Sequence, residues 1–204
     1  NICSTAYWYQ TGQPRAFVKL PAFEALLPDV KVAAEDVNLP LPDAGSWRVQ
    51  LPFENDQNQA VTTAASSSIA SLVTDDAAWK SVQSYHGFID FNMIQRPRIK
   101  PAVGAHYANK AAIAHAKLVA PQAGAATLHL AWDDHMVLQL NDQQPVDLGQ
   151  HIIFRSRKVQ VNLKQGENDL MVLLTNTTGS NHGGFAFAMY AITAEGQMIL
   201  PKAP

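Results

Sequence analysis

Two adjacent aspartates, Asp133 and Asp134, are the residues of this chain whose types and spacing best suit ion or ligand binding. They are followed by His135 and, a few residues later, by Asn141 and Asp142. Carboxylate and amide oxygens are ligands that Ca²⁺ takes in proteins, but the D-x-D-x-D spacing of a calcium loop is absent. The favoured alternative is that the two aspartates accept backbone N–H bonds and hold a turn. Asp133 and Asp134 are therefore candidate ligand-binding residues; we expect no cofactor, with Ca²⁺ as the one alternative.

An aromatic run near the start of the chain, Tyr7, Trp8 and Tyr9, is the second candidate for ligand binding. Flat apolar ring faces suit the C–H surfaces of sugars, so these three side chains could stack on a glycan. The aromatic and β-branched content of Ile2–Gln10 also indicates a strand that is covered on both faces. Core packing is therefore the favoured role for at least one face of this strand.

Other catalytic and metal-binding patterns are absent from the sequence. The seven histidines form no H-x-H or H-x-x-x-H pair, which argues against zinc. Ser180 follows a glycine but lies in no G-x-S-x-G elbow, and Cys3 is the only cysteine. Glycosidases need two carboxyl groups on either side of the scissile bond, whereas the glutamates here fall in connectors, turns or strand ends. We therefore predict no catalytic residue.

Composition narrows the classes of partner. Of the 204 residues, 47% are hydrophobic and only 16% are charged, and the formal net charge is −2. This chain can bury a sizeable core, but it offers no basic face for nucleic acid and no polybasic membrane patch. It also contains no run of the ~18 apolar residues that a membrane helix needs. Neutral polar ligands such as glycans, or other protein surfaces, fit this composition better.

Alternating apolar and polar residues predict strands throughout the second part of the chain. Turn signals separate these strands at intervals of about 8–12 residues, which is typical of a β-sandwich. The predicted strands begin at Ser46 and then cover Gly87–Ile94, Ala111–Val119, Leu128–Trp132, Val137–Leu140, Val159–Leu163, Leu170–Leu174, Phe185–Ile192 and Gln197–Leu200. The fold class is thus all-β, an antiparallel β-sandwich preceded by an N-terminal strand and a Pro-rich connector.

The segments between these strands are predicted to be irregular, with one exception. Asp56–Thr74 is rich in Gln, Ala, Ser and Thr, which favours a long loop. Asp75–Ser81 is predicted to form a short helix capped by an aspartate, with Trp79 pointing inward. Asp133–Asp134 and Asn141–Asp142 are predicted to form turns.

Four motifs occur in order along residues 46–200. They are a W-x-V-x-x-P-F strand, an acidic pair before an apolar strand that ends in Asn, an L-K-x-G-x-N-x-L-x-V-x-x-x-N segment, and a late Gly-Phe. The residues that carry them are Trp47, Val49, Pro52, Phe53, Asp133, Asp134, Leu138, Leu140, Asn141, Leu163, Lys164, Gly166, Asn168, Leu170, Val172, Asn176, Gly184 and Phe185. This set resembles the jelly-roll or galactose-binding-like β-sandwich that often follows catalytic domains. Asp142 stands where glycine is usual, and aspartate tolerates a positive φ better than most residues.

The opening segment carries a different resemblance. Ser4, Ala6, Tyr7, Trp8, Tyr9 and Gln10, followed by a Pro-rich exit, resemble the strand that closes the catalytic jelly roll of glycoside hydrolase family 172. That family acts on α-D-fructofuranosides and difructose anhydrides, and its two catalytic glutamates lie upstream of this strand. The resemblance implies a non-catalytic C-terminal module of a fructofuranosidase-like protein, serving assembly, stability or glycan contact. It also implies two parts, residues 1–45 and residues 46–204.

A strand at the start of the chain needs neighbours, because an unpaired strand exposes backbone N–H and C=O groups. We expect Ile2, Ser4, Ala6, Tyr7, Trp8, Tyr9 and Gln10 to pair with another chain or with an upstream domain, and we expect a homo-oligomer. Two alternatives stay open: a structural or cell-surface subunit that donates this strand to a neighbour, and a free carbohydrate-binding module. All three interpretations place the protein outside the cell, in the periplasm or on the cell surface.

Overall fold

The computed structural model describes residues 45–55, 58–73, 79–84, 88–91, 94, 109–177 and 185–204. These residues belong to one compact unit, Ala44–Pro204. The predictions for the segment Ile2–Gln10, including the aromatic run and the strand pairing, lie outside the described residues. No helix within the described ranges is long and apolar enough to span a membrane.

The described chain is built almost entirely from antiparallel strands, which confirms the all-β prediction. The strands are β1 (Gly45–Glu54), β2 (Trp79–Ser84), β3 (Phe88–Asp90), β4 (Lys110–Ala120), β5 (Gly124–Leu140), β6 (Val146–Leu163), β7 (Gly166–Asn176), β8 (Ala186–Thr193) and β9 (Met198–Ile199). Hydrogen bonding follows the order β2-β1-β4-β7-β5-β8-β3, while β6 pairs with β5 and β9 pairs with β8.

The long strand β5 connects the two layers of the sandwich. Its first half, Ala126–Asp133, pairs with β8, and its second half, His135–Leu140, pairs with β7. Strand β6 follows β5 along its other edge, and the register of that pairing shifts between Trp132 and Asp134. The Asp133–Asp134 peptide bond is cis. The prediction of a turn at these two residues is wrong, because they continue β5 as it passes from one layer to the other.

The core lies between the layers and follows the period of two that strands impose. Leu128, Leu130 and Trp132 on β5 alternate with more exposed residues, as the predicted strand Leu128–Trp132 requires, and Trp132 is fully buried. The ring of Trp47 on β1 meets the ring of Phe187 on β8 edge-on, with centroids 5.0 Å apart. Since this contact joins strands of different layers, burial of apolar surface at ~25 cal/mol per Å² is what holds the sandwich closed.

A helical segment covers the outer face of the β4–β7 layer. Helix α1 (Gln59–Ser66) and a short 3₁₀-helix (Ile69–Leu72) stand where the sequence predicted a loop. Ala60, Val61, Ala64 and Ile69 form a second buried apolar cluster with Ala111, Ile113, Val137 and Leu173 of the sheet. The helix was missed because the segment is short and mixes Ala, a strong helix former, with Val, Thr and Ser, which are weaker ones, so packing against the sheet decides its conformation.

Trp79 also departs from its predicted helix. It opens strand β2, and its backbone is in register with Gln50 of β1. The guanidinium of Arg48 lies 5.3 Å from the centroid of the indole ring. Pairing with β1 and this cation–π contact favour the extended conformation over an isolated helical turn.

Candidate functional site

The acidic pair, Asp133 and Asp134, lies where β5 passes between the layers. Asp134 is 1% exposed, and its Oδ2 accepts hydrogen bonds from the backbone N–H of Thr177 at 2.9 Å and from the Thr177 hydroxyl at 2.8 Å. Thr177 directly follows β7, so this carboxylate holds the chain at the end of that strand. The sequence favoured a role for these aspartates as acceptors of backbone N–H bonds, and Asp134 has that role.

The other oxygens of the acidic pair are not satisfied in this way. Oδ1 of Asp133 and Oδ1 of Asp134 are both buried and have no hydrogen-bond partner among the other described residues, apart from the hydrogen bond between the two carboxyl groups themselves. Burial, together with the hydrogen bond and negative charge of Asp134, raises the pKa of Asp133 to about 8. Burial is the largest cause of this raised pKa, because a low-dielectric surrounding disfavours the charged carboxylate, and the neighbouring Asp134 adds to it.

Residues of β5 and β6 fix the surroundings of the acidic pair. His135 Nε2 lies 2.6 Å from Asp147 Oδ1, and the same oxygen accepts the backbone N–H of Gly149 at 2.7 Å. The indole N–H of Trp132 donates to the Gly149 carbonyl oxygen at 3.1 Å. Since these contacts tie the strand to β6 on both sides of the pair, the two carboxyl groups sit on a rigid backbone.

Asn141 and Asp142, grouped with the acidic pair on sequence grounds, lie elsewhere. An extended strand rises ~3.3 Å per residue, so the eight residues from Asp133 to Asn141 cover roughly 25 Å of chain. Asn141 forms a turn with φ of 52°, donates to Asn168 Oδ1 at 3.1 Å and accepts from the Asp169 N–H at 3.0 Å. The structure therefore does not bring these residues together as one cation site. The positive φ of this turn falls on Asn141 instead of Asp142.

Metal-binding clusters are likewise absent from the described ranges: no three His, Cys, Asp or Glu side chains there are grouped as metal ligands. Two of the glutamates form ion pairs across strands, Glu54 with Lys110 and Glu167 with Lys117. A glutamate pair flanking a cleft, as glycosidases use, is not seen in this part of the chain.

A groove of about 550 Å³ lies between the 3₁₀-helix and the outer face of the sheet. Polar side chains from four parts of the chain dominate its lining, which consists of Ser67, Ser68, Ala70, His115, Gln139, Asn141, Asp142, Gln143, Gln144, Asp169 and Met171. Sequence reasoning missed this groove, because the segments that line it are separated by 24 to 45 residues along the chain. The only local signal was the amide-rich turn after β5, Asn141–Gln144.

Comparisons with known proteins give distant likenesses to several solved structures. No protein-family model matches the sequence, and no curated protein matches it. The β-glucosidase from Kluyveromyces marxianus in complex with glucose is similar at 13% identity and a TM-score of 0.46, over 72% of this chain and 16% of that enzyme. A PA14 sugar-binding domain from an RTX adhesin is similar at 10% identity and a TM-score of 0.41, over 78% of this chain and 94% of that domain.

A family 35 carbohydrate-binding module from an environmental isolate is similar at 19% identity and a TM-score of 0.32, over 46% of this chain and 72% of that module. The chain thus spans a small part of the β-glucosidase and most of the adhesin domain. Likenesses of this size concern the fold alone, and no residue of the acidic pair or of the groove is assigned a role from them.

Proposed function

We propose that this β-sandwich is a non-catalytic carbohydrate-binding module in which the acidic pair holds Ca²⁺ and a glycan binds beside it. The observation that carries the proposal is the pair of buried Oδ1 atoms of Asp133 and Asp134, which lack partners among the other described residues. A buried polar atom without a partner costs ~1–3 kcal/mol, and more when it is charged, so such a pair is rarely kept without a use.

The two carboxyl groups of the acidic pair are ligands of the kind that a hard divalent cation takes, although the described residues supply no third His, Cys, Asp or Glu ligand beside them. Carboxylate oxygens are preferred ligands of Ca²⁺, which takes about 6–8 oxygens at one site. Asp134 keeps Oδ1 available although Thr177 occupies its Oδ2. Bound Ca²⁺ would supply positive charge and further coordination positions, which neutral sugar hydroxyls can fill. The near-neutral, polar composition of the chain agrees with an uncharged, hydroxyl-rich ligand.

The proposal is tested first with the ion alone. Isothermal titration of the chelator-treated protein with Ca²⁺ should show one site, which Asp133→Asn and Asp134→Asn each weaken by tenfold or more. The amide in Asp134→Asn can still accept from Thr177, so loss of binding would report the lost charge and not a lost structural bond. Asp142→Asn, in the exposed turn, is the matched control and should bind Ca²⁺ like the unmodified protein.

The second step uses glycans. Binding of fructans and of galactosides, the two classes suggested by the resemblances, would be measured with Ca²⁺ and with excess chelator. A glycan that binds only in the presence of Ca²⁺ supports the proposal. If Ca²⁺ produces no heat at millimolar concentration and no glycan responds to it, the proposal is wrong.

The wider setting of the module is also part of the proposal. We propose that the module is attached to a fructofuranosidase-like catalytic domain, that Ile2–Gln10 pairs with another chain, and that the protein lies outside the cell or at its surface. The sequence resemblance and the composition support these three proposals. The intact mass of the natural protein tests the first of these directly, because a catalytic domain would add many kilodaltons to the 22.2 kDa of this chain.

A further inference from the structure

We propose that the groove between the 3₁₀-helix and the sheet is a second binding site, separate from the acidic pair, and that it takes sugars with a free amino group. Its volume of about 550 Å³ lies within the ~300–1,000 Å³ of typical small-molecule sites. The proposal depends on Gln139, Asp142, Gln143 and Asp169 in its lining, and not on Ca²⁺ or on the acidic pair.

The walls of the groove are fixed to one another, so the site is formed before any ligand arrives. Gln139 Oε1, on β5, accepts the backbone N–H of Ile69 at 2.9 Å and ties the 3₁₀-helix to the sheet. Gln144, in the turn after β5, donates to the carbonyl oxygen of Ala65 in α1 at 2.8 Å. A ligand entering such a preorganised site loses little affinity to ordering of the protein.

The charge of the groove is negative. Asp142 and Asp169 contribute carboxylates, and no lysine or arginine is found among the lining residues. Lys117, in register with Asp169, forms an ion pair with Glu167, whose hydrogen bond raises the pKa of this lysine, and the charge of Asp169 raises it further. Lys117 therefore offsets part of the charge of Asp169, whereas the groups that raise its pKa do not include Asp142. The remaining basic group, His115, contacts Asp169 Oδ1 through Nε2 at 3.2 Å. An ammonium group is therefore favoured in this groove, and a carboxylate, sulfate or phosphate is repelled.

The polar inventory of the groove suits a sugar that carries the ammonium group. Gln139 uses its amide oxygen to hold Ile69, and its amide nitrogen stays available to donate. Gln143 adds a second amide, and Asn141 is already committed to Asn168 and to the backbone of Asp169. An amide can donate a hydrogen bond to a sugar hydroxyl and accept one from it. The Met171 side chain offers an apolar surface for sugar C–H groups. The carboxylates of Asp142 and Asp169 accept hydrogen bonds from the ammonium group.

The test compares three trisaccharides by NMR titration in the presence of chelator, so that the calcium-dependent site plays no part. The probes are a β-1,4-linked glucosamine trisaccharide, its fully N-acetylated counterpart and a galacturonic acid trisaccharide. We expect the amine form to bind, with shifts confined to the groove, the N-acetylated form to bind at least tenfold more weakly, and the acid form not to bind. Added salt should weaken binding of the amine form, because part of its affinity is a charge interaction.

Variants assign the effect to the groove. Asp142→Asn and Asp169→Asn should each weaken binding of the amine form by roughly tenfold, as expected for loss of a charge-assisted hydrogen bond. Asp133→Asn, which disables the acidic pair, should leave it unchanged. Equal binding of the amine and N-acetylated forms, full affinity in both groove variants, or no binding at millimolar ligand would each overturn the proposal, whatever the outcome for Ca²⁺.

Discussion

Asn168 is the buried side chain whose removal should lower the free energy of unfolding most for its size. It lies at the start of β7 and is fully buried. Its amide nitrogen donates to the carbonyl oxygens of Lys164 at 2.9 Å, Gly166 at 3.1 Å and Leu118 at 3.3 Å. Its amide oxygen accepts the backbone N–H of Lys164 at 2.9 Å and the side chain of Asn141 at 3.1 Å. One side chain therefore holds the β6–β7 turn, an edge of β4 and the turn after β5.

The expected cost of Asn168→Ala follows from these contacts. A net intramolecular hydrogen bond contributes ~0.5–1.5 kcal/mol, and a buried group left unpaired costs ~1–3 kcal/mol. Water can reach part of the turn once the side chain is gone, so the contributions do not add fully. We expect a loss of about 3 kcal/mol in the free energy of unfolding. At ~2–4 °C per kcal/mol for a chain of this size, the melting temperature should fall by roughly 6–12 °C.

Urea denaturation and calorimetry of the purified variant measure this loss. Asn162→Ala is the matched control, because Asn162 is an exposed asparagine on β6 and its removal should change stability by less than ~0.5 kcal/mol. Asn168→Asp keeps the accepting oxygen but replaces the donating nitrogen with an acceptor, so it should be at least as unstable as Asn168→Ala at pH 7. If Asn168→Ala costs no more than Asn162→Ala, the reasoning from buried hydrogen bonds is refuted.

Three further perturbations test other parts of the structure. Without Ca²⁺, the folded protein should bind more protons at Asp133 than the unfolded chain does, between the ordinary pKa of aspartate and about 8. The free energy of unfolding should therefore fall as the pH rises from 5 to 8, by roughly 2 kcal/mol for this partly exposed group. In a thermal-shift series over this pH range, Asp133→Asn should abolish the fall. Trp47→Ala should cost about 3–5 kcal/mol in urea denaturation, because it removes the contact with Phe187 between the layers, and a cost under ~1 kcal/mol would contradict the packing. Deleting residues 2–10 should lower the oligomeric state in native mass spectrometry, and unchanged assembly would contradict strand donation.

Strand periodicity could be read from the sequence wherever one face of a strand is buried and the other is not. The alternation of Leu128, Leu130 and Trp132 is found in β5 with the predicted faces. Two of the failures in secondary structure, at α1 and β2, share a cause. Helix α1 forms because it packs on the outer face of the sheet, and strand β2 forms because it pairs with β1 at the edge of the sheet. Both segments are short, and their intrinsic helix and strand propensities are too weak to predict these conformations from the sequence.

The two candidate sites were predictable to different degrees for the same reason. The acidic pair is adjacent in sequence, so its residues could be singled out, but the burial of both Oδ1 atoms depends on β5 crossing between layers at that point. The groove joins the 3₁₀-helix to β4, β5 and β7, and Gln139 meets Ile69 across 70 positions of sequence. Contacts of that range follow from the assembled fold and leave no local pattern.

The placement of both sites on β5 has a consequence for how they work together. Asp134 has the same parity on the strand as Met136 and Leu138, which belong to the core between the layers, whereas Gln139 has the parity of Val137, which packs under the helical cover. Asp133 shares the parity of Gln139, but it lies on the half of β5 that pairs with β8 and not with β7. A short glycan cannot reach from one side of a sheet to the other, so one ligand does not bridge the two sites. If both proposals hold, the two sites share no side chain, so binding at one should leave the free energy of binding at the other unchanged.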